Sequence, residues 1–61
     1  MITEHMQEQL NEMASNIKSM QMEESTRFEL VTNIVGMLLA YFVDKDVVHR
    51  FMVDCGVIYD D

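Results

Sequence analysis

The sequence predicts an all-α fold, a helical hairpin plus a short third helix, self-associating into a dimeric helical bundle. Three observations predict it. The 61 residues include no proline and only two glycines, so little in the chain opposes helix. Apolar residues recur at spacings of three and four, the period of a helix face. Residues 28–43, FELVTNIVGMLLAYFV, carry clearly polar side chains only at Glu29, Thr32 and Asn33. As a helix, that segment is greasy on nearly every side, and a chain this short has little with which to cover it.

Helix 1 is expected over residues 3–22, with Thr3 as N-cap. Its apolar positions Met6, Leu10, Met13, Ile17 and Met20 are spaced four, three, four, three, the seam of a narrow coiled-coil-like stripe. Carried forward, that seam would fall on Glu24 and Arg27, so a break is expected around residues 23–25. A stutter within one continuous helix could produce the same shift. Helix 2 is expected over 26–43, opened by a capping box at Thr26 and Glu29. Its first apolar row is Phe28, Val31, Val35, Leu38 and Phe42; a second is Leu30, Ile34, Met37 and Tyr41. Two rows describe a central helix that buries one face within its own chain and another elsewhere. Self-association is therefore expected through Phe28, Val31, Ile34, Val35, Leu38 and Phe42. Gly36, costly inside a helix by about 1 kcal/mol relative to alanine, is either a point of close backbone crossing or a tolerated weak spot. Helix 3 is expected over 45–55, from an Asp44 N-cap to Gly56 as a left-handed stop, with Val47, Val48, Phe51, Met52 and Cys55 on its apolar face. The tail, 56–61, is expected to lie against the bundle through Ile58 and Tyr59.

A single small domain of this length is close to the lower limit of independent folding. Cys55 is the only cysteine, so no disulfide can form within the chain, and oligomerisation is the expected source of extra burial. A lone cysteine fits a reducing compartment. The opening residues, MITEHMQEQL, have neither the basic start nor the apolar stretch of a secretory signal, and the greasy run falls short of the ~20 residues of a membrane span. A cytoplasmic location without membrane contact is the expectation.

Formal net charge is −7. Acid is concentrated at both ends of the chain around a neutral middle, an arrangement that disfavours direct nucleic-acid binding, because phosphate contacts need clustered Lys and Arg. Glu4, Glu8 and Glu12 fall on one helical edge with no basic residue four positions away. That edge is either a solvated, solubilising face or a surface for a basic or nucleic-acid-binding partner.

Catalytic motifs are absent. No Gly-rich phosphate loop, nucleophile elbow or paired acid/base carboxylates can be found. Asp46 and His49 echo weakly the Glu-x-x-His pairs of di-iron bundles, which need several further inward carboxylates. Glu4, His5 and Glu8 sit on an exposed turn. Cys55 and His49 are too far apart around a helix to activate one another. No metal, cofactor or enzymatic activity is expected. Seven methionines suit core gaps and also adaptable binding grooves.

The function expected is that of a small acidic regulator or inhibitor working by protein–protein binding, of the kind encoded by bacteriophages and mobile elements. Two alternatives stand beside it. One is a nucleic-acid mimic that blocks a DNA- or RNA-binding enzyme through the Glu4, Glu8, Glu12 edge. The other is a structural subunit whose greasy helix docks permanently into a larger assembly.

Overall fold

The computed structural model describes residues 3–41 and 43–59. It contains three helices, α1 (Glu4–Ser19), α2 (Glu24–Ala40) and α3 (Lys45–Cys55), and no strand among the described residues.

Each helix end has a local cause. Thr3 is extended, and its Oγ1 accepts a hydrogen bond from the Met6 amide at 3.1 Å, satisfying one of the amides left free in the first turn. α1 stops where Met20 turns extended (φ −71°, ψ 139°), three residues before the expected end and well before any continuous-helix alternative. α2 begins at Glu24 behind an extended Glu23 that makes no side-chain cap. The expected capping box at Thr26 is therefore corrected, since Thr26 already lies inside the helix. α2 ends at Ala40, not at residue 43; the chain folds back, and the Val43 amide donates to the Leu38 carbonyl at 3.1 Å, leaving Val43 buried. α3 starts behind Asp44, again without a side-chain cap. It finishes on Gly56 at φ 84°. There the Gly56 amide donates to the Val53 carbonyl and the Val57 amide to that of Met52, a pair of bonds that satisfies the last carbonyls and needs the left-handed conformation glycine tolerates.

The packing hub is α3. It packs closely against both α1 and α2, whereas α1 and α2 approach each other far less. This corrects the expectation of a central second helix. Phe51 and Cys55 of α3 meet Ala14 and Ile17 of α1 and Val31 of α2 in one buried cluster, with Leu10, Ile34, Val35, Leu38, Met52 and Val57 packed around it. Ala14 explains the close approach of α1 to α3. Its single methyl lets the two backbones near each other at the centre of the contact, with the larger Leu10 and Ile17 one turn to either side.

Candidate functional site: the face left open by α1 and α2

Using Leu10, Ala14 and Ile17 to meet α3 turns α1 away from the expected seam. Met6, Met13 and Met20 are displaced to its flank and stand 46%, 42% and 49% exposed. They form a ridge with one residue every two turns. A shallow groove beside it is lined by Met13, Ile17, Met20, Gln9, Asn16 and the carboxylate-bearing Glu12. A second groove, lined by Met6, Gln9, Leu10 and Met13, extends to Leu38 and Val43 and so reaches α2.

α2 is turned in a similar way. Its first row faces its own chain: Val31 is fully buried, and Val35 and Leu38 are half-buried against the core. Val31 is thus corrected as a self-association residue, because no part of it remains to meet a partner. Ile34 is also half-buried against the core. Phe28 stays exposed, but on the opposite flank, where it lines a hollow with Glu24, Arg27, Val57 and Tyr59. The expectation for Phe42 lies outside the described residues. The second row is the one turned outward, with Leu30, Met37 and Tyr41 exposed, Tyr41 to 79%.

Both ridges belong to one face. Arg27 reaches across to α1, where its Nη2 donates to the Met20 carbonyl at 2.7 Å and the Lys18 carbonyl at 3.5 Å. Leu38, near the other end of α2, shares a groove with Met6 and Met13. Leu30, Met37 and Tyr41 are one helical step from Arg27, Ile34 and Leu38, and so flank the cleft between α1 and α2. The polar residues beside these ridges are mostly uncharged, Gln9, Asn16, Thr26 and Asn33. The charged ones are Glu12, which lines the groove with Met13 and Met20, and Arg27, which spans the cleft.

Glu4, Glu8 and Glu12 are all exposed, and among the described residues none has an ionic partner. Glu4 and Glu8 lie on the side of α1 away from the methionine ridge, whereas Glu12 lines the groove beside that ridge. The anionic edge thus runs up to the apolar one.

The remaining chemistry-bearing residues are dispersed. Asp46 and His49 are exposed on α3, and Glu4 and His5 on α1. Among the described residues no group of three or more His, Cys, Asp or Glu is placed to hold a metal ion. Cys55 is completely buried, apart from the exposed His49. Burial, with a smaller contribution from the Asp54 carboxylate and an opposing one from Arg27, pushes its thiol up to about 11. A thiol held protonated in this way is a poor nucleophile. No described helix is long and apolar enough to cross a membrane. Comparison with known protein families, curated proteins and solved structures finds no match to this chain.

Proposed function

We propose that this chain is a small acidic, non-enzymatic regulator or inhibitor that acts by protein–protein binding. The observation that carries the reading is the largely apolar face bearing the exposed Met6, Met13, Met20 and the Leu30, Met37, Tyr41 ridges. Large apolar residues scattered singly need no explanation, but a contiguous patch rimmed by polar side chains marks a surface that binds. Flexible thioethers on much of it suit adaptation to a partner's contours. A cytoplasmic setting belongs to the same reading.

The test is affinity capture from the native host followed by mass spectrometry, with the wild-type chain beside Met13→Glu and Met37→Glu. The reading expects a host protein captured by the wild type and lost from both variants. Capture that is absent, or equal for all three baits, overturns it.

A second reading is supported by the unpartnered Glu4, Glu8, Glu12 edge, which suits a mimic of nucleic acid directed at a DNA- or RNA-binding protein. Salt separates the two. Binding through that edge falls steeply as ionic strength rises and is lost in Glu4→Gln/Glu8→Gln/Glu12→Gln, whereas binding through the apolar face changes little under either condition.

A further inference from the structure

We infer that the apolar face of α1 and α2 is closed by a second copy of this chain, through an interface that pairs the methionine ridge of α1 with the outer row of α2. The inference rests on reading that face as a binding surface and names its occupant.

Two features of the face single out a second copy. The first is its spacing. Met6 and Met13 of α1 and Met20 at its C-cap fall at seven-residue intervals, as do Leu30 and Met37 on α2, followed four residues on by its C-cap Tyr41. Heptad-spaced apolar residues are what helices present across the seam of an antiparallel or parallel four-helix bundle. Here two helices each offer such a row on either side of the cleft that Arg27 and Leu38 mark, with α3 packed against both. A two-fold axis places each ridge against the partner's cleft, and such an isologous interface is self-complementary because one patch serves both roles.

The second feature is area. At roughly 200 Å² for a fully exposed large side chain, the exposures of Met6, Met13, Met20, Leu30, Met37 and Tyr41 amount to on the order of 600 Å² per copy. The polar rim adds to this, bringing the total close to the ~800 Å² per partner of a standard stable interface. Charge on the face is sparse: Glu12 lines the groove beside Met13 and Met20, and the Arg27 guanidinium lies between the two helices. Pairing through it leaves Glu4 and Glu8 pointing outward.

The experiment is size-exclusion chromatography with multi-angle light scattering on the purified chain at about 100 μM, a range in which micromolar dimers are populated. The expected mass is twice the 7.1 kDa of one chain. Met13→Glu/Met37→Glu is expected to run at the single-chain mass with its helical circular dichroism retained, since both residues stand outside the core. Should that variant lose its helicity, the neutral Met13→Gln/Met37→Gln takes its place, with a dimer dissociation constant raised at least about tenfold. Thr32→Glu, exposed on the side of α2 away from Leu30, Met37 and Tyr41, is expected to stay dimeric. A wild-type chain that is monomeric at this concentration overturns the inference. So does a face variant that dimerises as tightly as wild type, or a Thr32→Glu chain that dissociates as fully as the face variant. A monomer whose host partner is still lost on Met13→Glu leaves the protein-binding function standing and removes only the second copy.

Discussion

Arg27 of α2 ends α1. Its Nη2 donates to the Met20 carbonyl at 2.7 Å and the Lys18 carbonyl at 3.5 Å, where the last turn of α1 has no backbone donors left to meet its carbonyls. The positive charge also sits at the negative end of that helix. The geometry explains why α1 stops near Ser19 although no proline or glycine follows: the guanidinium supplies donors that continuation of the helix would otherwise provide. Hydrogen bonds to a charged group contribute about 1.5–3 kcal/mol. The Nε of the same residue is buried with no partner among the described residues, a cost that pulls the net value down. Arg27→Ala is expected to lower stability by about 1–2 kcal/mol, read as a shift in the urea midpoint at fixed chain concentration. A midpoint unchanged within error contradicts the bridge.

The two threonines at helix starts make an internal comparison. Thr3 caps α1 through its side chain, so Thr3→Ala should cost about 1 kcal/mol. Thr26 lies exposed inside α2 with no capping bond, so Thr26→Ala should stay within about 0.5 kcal/mol of wild type. Thermal or urea unfolding of the pair checks both. Equal losses would mean that the sequence-based capping box at Thr26 and Glu29 forms after all.

Gly36 is exposed in the middle of α2, and a Cβ added there meets nothing within 4 Å. Within its own chain it permits no close backbone crossing and only weakens the helix. Gly36→Ala is expected to raise stability by about 0.5–1 kcal/mol and to leave the mass in solution unchanged. A destabilised or dissociated Gly36→Ala chain would place a partner against the back of α2 instead of the α1–α2 cleft.

Cys55 links burial to pH. Its thiol is pushed up to about 11 from a reference of 9.0, chiefly by burial and then by Asp54, with Arg27 opposing. Because the folded value is the higher one, the contribution to stability is fully present below pH 9 and is lost as pH rises toward 11, where the unfolded thiol ionises before the folded one. At 1.36 kcal/mol per pKa unit the loss is about 2–3 kcal/mol. Urea titrations across that range should show it in the wild type and not in Cys55→Ala. In parallel, Cys55 should react with a disulfide reagent at pH 8 only at the rate of local opening.

The elements of this fold were legible to different degrees, for physical reasons. The end of α3 is a local signal, Gly56 where a left-handed residue is required, whereas Asp44 marks its start by position alone, with no side-chain cap. The start of α2 lies two residues before the one its sequence suggests, because extended backbone at Glu23, not a side-chain cap, begins it. The phase of α1 was missed for a subtler reason. Pattern reading favoured the larger Met6, Met13 and Met20 over Ala14, yet a small residue is what a close helix crossing buries, and the large ones were left outside. The two rows of α2 were both visible in the sequence. Which one turned inward depended on the position of α3, a long-range fact that periodicity does not carry. The acidic edge was legible outright, since three unpaired glutamates at intervals of four have nowhere to go but solvent.

The most direct test of the central claim, that this face is buried between two copies, is isotope-filtered NMR on a mixed sample. One population carries ¹³C-methyl methionine and the other is unlabelled. Closure by a second copy predicts intermolecular NOEs from the Met6, Met13 and Met37 methyls to the Leu30 and Tyr41 side chains of the partner molecule, and none from Met52, which packs within its own core. Methionine methyls that show only intramolecular NOEs, at a concentration where the chain is fully helical, would contradict the account.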